Sequence, residues 1–264
     1  MLTKRLIACF DIINGRVTKA LQFQNNIDVA SADELAENMY NNQIDELIFY
    51  DITASSDKRG IDIDTVKKTA SRVFIPFTVG GGIKDLNDMY KTLKAGAEKI
   101  SVDSMAVRNP QIISDGAKAF GSQCIVLSTQ AKRTATTPSG YEVFIDGARL
   151  ATGLDAIEWI KRGQDLGAGE ICLNSIDCDG TMASYDIDLM QLAEKAVSVP
   201  LIASGGAGKP EHLRDLFQNT QAQGAIISSM LYSPRTGRHY AVRELKDYLA
   251  ENGVNVRPFL TSLK

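Results

Sequence analysis

No stretch of the 264-residue chain comes near the roughly 18 consecutive apolar residues of a membrane-spanning helix. The amino-terminal MLTKRLIACFD also meets an acid at Asp11 before any signal-type segment develops. Neither a membrane nor a secretory role is expected. Basic residues are not in excess: 29 Lys and Arg stand against 32 Asp and Glu, a net charge of −3, so nucleic acid is not expected as the main partner. A local patch can still hold a small anion. The four cysteines, Cys9, Cys124, Cys172 and Cys178, show no CxxC or Cys/His spacing and lie in or beside apolar runs. They read as reduced packing residues in a cytoplasmic setting, without a metal. The two histidines, His212 and His239, fall near helix starts, which argues against a histidine-activated nucleophile. Gly208-Lys209 runs into Pro210 and is no Walker loop, and Asp177-Cys178-Asp179-Gly180 lacks the remaining ligands of a calcium loop.

What is present is an alternation. Eight short apolar runs, RLIACFD, DELIFYD, IPFTV, KISVD, CIVLST, EICLNS, PLIAS and GAIIS, read as strands. Each is followed by an amphipathic stretch, such as ADELAENMYNN or LDAIEWIKRGQDLG, with apolar residues at three- and four-residue steps. Continuous apolar strands imply burial on both faces, and eight β-then-α units predict a closed (β/α)8 TIM barrel. An internal repeat supports this. Glu46 matches Glu170, and Gly81-Gly82 matches Gly205-Gly206, at an offset of 124, while Ser104 matches Ser229 at 125. Residues 1–264 therefore read as one domain made of half-barrels of about 1–122 and 123–264, since either half alone exposes two sheet edges. Asn14 to about Ala30 reads as a long βα loop and a candidate lid, and Lys132 to Thr152 as a hairpin-bearing loop.

Barrel sites lie at the carboxyl ends of strands. There the chain carries Asp11, Asp51, Gly81-Gly82, Asp103-Ser104, Gln130, Asp179-Gly180, Gly205-Gly206 and Ser228-Ser229. Acids in an apolar lining suit proton transfer, because desolvation tunes a carboxyl toward working pH; the competing role is helix capping. Glycine lets backbone amides approach a phosphate, and a helix N-terminus adds favourable partial charge. The repeat duplicates such a site, which predicts an elongated ligand with a phosphate at each end. Tight βα turns are the plainer role for the same glycines.

The runs RLIACFDIINGRVTKA, DELIFYDITASSDKRG, PFTVGGGI, GAGEICLNSIDCDGT and PLIASGGAGKPEH together resemble the cyclase subunit of imidazole glycerol phosphate synthase, over essentially the whole chain. The resemblance implies a cofactor-free lyase of histidine biosynthesis. Such an enzyme takes ammonia from a glutaminase partner at its amino-terminal face. It converts a ribulosyl bisphosphate aminoimidazole carboxamide nucleotide (PRFAR) to imidazole glycerol phosphate and aminoimidazole carboxamide ribotide. It also implies that Asp11 is an acid-base carboxylate, that Lys19 closes the first loop, and that Asp51 and Asp179 position substrate. Gly81, Gly82, Ser104, Gly180, Gly205, Gly206, Ser228 and Ser229 would hold the phosphates, and Arg5, Glu46, Lys99 and Glu170 would ring the ammonia entrance.

Three positions depart from that pattern. Gln130 stands where the family ends its fifth strand in a second catalytic aspartate, and an amide cannot act as a carboxylate base. Asp103 replaces an asparagine beside the first phosphate, where two unit charges 4 Å apart would repel by about 4 kcal/mol at an effective dielectric near 20. Ala20 replaces a glycine after Lys19. Three expectations follow: a slowed cyclase in which Asp177 or a water compensates for Gln130, a non-cyclising barrel that activates a glutaminase and passes ammonia to another acceptor, or an altered enzyme, engineered or divergent, using Asp11 and Asp103 on a different substrate.

Overall fold

The computed structural model describes residues 2–21, 24–54, 60–234 and 237–260, with the side chains of 19–27 outside the described set. The chain opens with β1 (Arg5–Ile13), β2 (Arg16–Leu21), β3 (Gln24–Ser31) and α1 (Ala32–Asn41). Next come β4 (Glu46–Asp51), α2 (Ile63–Ala70), β5 (Phe77–Gly80), α3 (Leu86–Lys94), β6 (Lys99–Val102), α4 (Ser104–Arg108) and α5 (Gln111–Phe120). The second half follows with β7 (Ile125–Arg133), β8 (Tyr141–Ile145), β9 (Leu150–Asp155), α6 (Ala156–Asp165), β10 (Glu170–Ser175) and α7 (Ile187–Ala196). It ends with β11 (Leu201–Ser204), α8 (Pro210–Asn219), β12 (Gly224–Ile226), α9 (Ser228–Tyr232) and α10 (Val242–Glu251).

Eight of these strands form one closed parallel sheet: β1 pairs with both β4 and β12, and β7 pairs with both β6 and β10. Closure is the (β/α)8 barrel expected from the eight apolar runs. Strand side chains alternate between two environments. Leu6, Ala8 and Phe10 pack outward into the layer beneath the helices, whereas Ile7 and Cys9 join Ile48, Val126, Cys172, Ile202 and Ile226 inside the barrel. Among the described residues no helix is long and apolar enough to cross a membrane.

The twofold repeat is visible in the register. Asp11 lies opposite Tyr50 across β1 and β4, and Gln130 lies opposite Asn174 across β7 and β10. Tyr50 and Asn174 are 124 residues apart, so Asp11 and Gln130 are equivalent positions of the two halves. The same spacing separates Ser104 and Ser228, the first residues of α4 and α9, so Ser104 corresponds to Ser228 and not to Ser229.

The segment after β1 differs from the expected loop. Asn14 and Gly15, with φ of 49° and 74°, make a tight two-residue turn between Ile13 and Arg16, and β2 and β3 extend the sheet as an antiparallel hairpin. Asn-Gly supplies the two positive φ values that a short hairpin turn of this hand requires. The second hairpin, β8 and β9, matches the expectation. It rides on β7 and turns through Asp146, Gly147 and Ala148, all at positive φ.

Candidate functional site

A cavity of about 830 Å³ opens at the carboxyl ends of the barrel strands. Its lining includes Asp11, Asp51, Gly81, Gly82, Asp103, Ser104, Gln130, Asp179, Gly180, Gly205, Gly206, Ser228 and Ser229, so residues far apart in sequence share one mouth. Lys19 sits on β2 opposite Ile27, and its side chain lies outside the described residues.

The glycine pairs are structurally equivalent. Gly81 and Gly205 have φ of 87° and 90°, and Gly82 and Gly206 have 71° and 101°, values that side-chain-bearing residues rarely adopt. Space is equally restrictive: a Cβ on Gly81 would stand 2.3 Å from the Asp51 carbonyl oxygen, and one on Gly206 would stand 1.8 Å from that of Ser184. The two edges differ at their serines. Ser104 Oγ accepts the Asp146 N–H at 2.9 Å and keeps its hydroxyl hydrogen for a ligand. Ser228 Oγ instead donates to the Cys9 carbonyl at 2.8 Å, tying α9 to β1, so this serine offers a ligand its backbone and not its proton. Asp51 is buried, and its Oδ1 accepts the Ala54 N–H at 3.1 Å, which fastens its own loop.

Asp103 and Gln130 are coupled. The Asn174 amide donates to Gln130 Oε1 at 2.7 Å, which leaves the Gln130 NH2 for the Asp103 carboxyl, whose charged form it favours. Burial pushes that carboxyl up to about 7, against the opposing pull of Gln130; Asp146 adds to the rise and Arg108 counters it. A carboxyl titrating there is half-protonated at neutral pH, which removes part of the repulsion expected between Asp103 and a phosphate. The suggested compensation by Asp177 is not what the structure shows. Asp177 is exposed, its Oδ2 accepts the Arg133 N–H at 2.8 Å, and it is not among the cavity-lining residues.

Tyr50 also lines the cavity, and its hydroxyl lies 3.3 Å from the hydroxyl oxygens of both Ser101 and Ser128. Burial drives the Tyr50 phenol well upward, and burial beside it raises the Cys172 thiol to about 12, so Cys172 is an inert packing group. At the opposite end, Arg5, Glu46, Lys99 and Glu170 begin β1, β4, β6 and β10 and meet in a ring. Arg5 binds Glu46 at 2.5 Å and also Glu170, while Lys99 reaches both glutamates at 2.8 Å. Burial alone would lower the Lys99 ammonium, but the two carboxylates outweigh it and the net shift is upward.

Sequence reasoning missed several lining groups. Asn174, the counterpart of Tyr50, was legible as a polar residue near a strand end. Lys84, Arg108 and Arg149 bring positive charge to the mouth from α4 and from connecting segments, and no local pattern marks them. His212 does cap, accepting the Gly208 N–H at 3.2 Å.

The histidine biosynthesis protein family profile matches residues 5–236. The chain is 51% identical to the imidazole glycerol phosphate synthase subunit HisF of Syntrophobacter fumaroxidans over 260 residues, 97% of this chain and 99% of that one. The chain belongs to the HisF family. Identity to the HisF subunit of Desulfosudis oleivorans is also 51%, and to that of Desulfovibrio desulfuricans 46%, each over 97% of this chain and 99% of the relative. The cavity and the charged ring of this HisF-family barrel, Arg5 to Ser229, both fall within the residues matched by the family profile.

Proposed function

We propose that this barrel is the cyclase subunit of imidazole glycerol phosphate synthase, converting PRFAR and ammonia to imidazole glycerol phosphate and aminoimidazole carboxamide ribotide. The observation that carries the reading is the symmetric mouth: equivalent glycine pairs at two edges, with Asp11 lining the space they share. Backbone amides at each pair would receive one phosphate, and the hydroxyl of Ser104 adds a donor on the first edge. Lys84, Arg108 and Arg149 supply the positive charge that a bisphosphate requires. Asp51 and Asp179 would orient the polar middle of the substrate.

Ammonia would come from a glutaminase subunit docked on the amino-terminal face, where Arg5, Glu46, Lys99 and Glu170 form the gate. The ring supports this reading because both glutamates are shared between two cations, so one contact can open while the other persists. Purified protein supplied with ammonium salt and PRFAR should release both products. Absence of turnover at any ammonium concentration overturns the proposal.

Gln130 favours one competing reading, a barrel that stimulates glutamine hydrolysis in its partner but hands ammonia to a different acceptor. That reading predicts accelerated glutaminase activity with no imidazole product.

A further inference from the structure

The symmetry equivalent of Asp11 is an amide, and an amide carries no transferable proton at neutral pH. The titratable group with which that amide interacts is Asp103, directly after the neighbouring strand β6. We propose that Asp103, rather than residue 130, supplies the second proton-transfer carboxyl of the cyclase reaction, and that Gln130 acts as a positioning residue holding it in the mouth. The inference rests on the cyclase reading above and deepens it.

Three observations carry the assignment. First, Asp103 occupies the N-cap position of α4, yet its side chain makes no cap hydrogen bond. Asp62, Asp85, Asp155 and Asp186, at the same position of other helices, all accept backbone N–H groups of the first turn. The usual structural use of an aspartate before a helix is therefore not the use made of Asp103. Second, the amide of Gln130 is fixed at one end and interacts with Asp103. Asn174 holds its oxygen at 2.7 Å and its NH2 is left to favour the charged form of the Asp103 carboxyl, so three polar side chains follow one another from β10 over β7 to the end of β6. Third, Lys99 and Ser101 point into the barrel from alternate positions of β6, and Asp103 continues that alternation into the cavity that Asp11 also lines. A carboxyl that burial brings to about 7 is suited to give up and regain a proton at neutral pH.

The step assigned to Asp103 is a proton transfer only. Its carboxylic O–H breaks as an N–H bond forms on the nitrogen departing with the aminoimidazole product. Asp11 takes the proton that the ammonia nitrogen loses on entering the new ring, and exchange with solvent restores both carboxyls. No oxidant or reductant is involved. A phosphate at the adjoining edge raises the carboxyl further and favours the protonated acid in the complex.

The test is steady-state cyclisation with ammonium and PRFAR, measured from pH 5.5 to 9. The unaltered protein should show a limb near pH 7 in its kcat/KM profile, which reports the free enzyme, falling toward alkaline pH, and the matching limb of its kcat profile should lie at higher pH. In Asp103→Asn, kcat should drop about 10²–10⁴-fold with KM unchanged or lower, and that limb should vanish. Adding Gln130→Asp to Asp103→Asn moves the carboxyl one strand over and should recover at least tenfold of the loss. A kcat for Asp103→Asn within threefold of the unaltered protein, or survival of the limb in that variant, overturns the proposal. Should Asp103→Asn not fold, the unaltered protein still decides it, since a kcat/KM profile without an ionisation near pH 7 also overturns it. Lack of any turnover by the unaltered protein would remove the cyclase reading itself, whereas turnover indifferent to Asp103 removes only this assignment.

Discussion

Lys246 Nζ lies 2.8 Å from Asp45 Oδ1, with the two side chains only 1% and 2% exposed, and this ion pair joins α10 to the start of β4. The other Asp45 oxygen accepts the Leu6 N–H at 2.9 Å, so one carboxylate ties the last helix to the first strand. Lys246 also donates to the Gln43 carbonyl at 2.7 Å. These contacts tie α10 to the start of β4 and to β1, bracing the β1–β4 edge of the barrel.

Breaking that pair from one side should be costly. Lys246→Met leaves buried Asp45 with only the exposed Arg257 guanidinium, 3.9 Å away, and should destabilise the barrel by about 3 kcal/mol. Thermal melting should show a midpoint lower by on the order of 10 °C, and combining Lys246→Met with Asp45→Asn should recover part of the loss.

The second-edge glycine has no room for a methyl group. Gly206→Ala places a Cβ against the Ser184 carbonyl at a φ of 101° and must displace the backbone that would face a phosphate. Losing one or two charge-assisted hydrogen bonds corresponds to roughly 10–100-fold in affinity, so KM for PRFAR should rise by that factor. Calorimetric titration with inorganic phosphate should show the same loss.

Opening the charged ring should separate the two ammonia sources. Arg5→Ala removes one cation from both Glu46 and Glu170, and cyclisation fed by glutamine through the partner should fall at least severalfold relative to cyclisation fed by ammonium in solution. An unchanged ratio counts against the gate.

Asp103 also sets a pH dependence of stability. Its folded-state value of about 7 lies above the ordinary aspartate value, so the native state holds a proton that the unfolded chain has released. Stability from this group is complete below the unfolded value and is lost as pH rises through about 7. Asp103→Asn should therefore flatten the decline between pH 4 and 8 and make the barrel more stable than the unaltered protein at pH 8, by denaturant titration at both ends of the range.

The strands and the repeat were legible because their signals are local or periodic. RLIACFD and CIVLST are continuous apolar runs, and only strands buried on both faces need that pattern. The observed strands run further, to Ile13 and Arg133, because each continues into an antiparallel hairpin beyond the barrel. The first hairpin was open to prediction as well: Asn14-Gly15 marks it, although the polar composition after it reads as a loop. The mouth residues were legible for the same local reason, since each ends or closely follows a strand run.

What the sequence determined by itself is which residues form strands, that they come in two similar sets of four, and which side chains end up at either rim. Who meets whom across the rim was decided only in three dimensions. Asp177 turns to the Arg133 backbone, Asp103 turns to Gln130, and Ser228 turns to Cys9, three choices that nothing near those residues in the chain dictates. The physical reason is that a side chain's partner is set by the register and tilt of a closed sheet, which bring together positions 27, 44 or 219 residues apart, and the strength of such a contact has no counterpart in local composition.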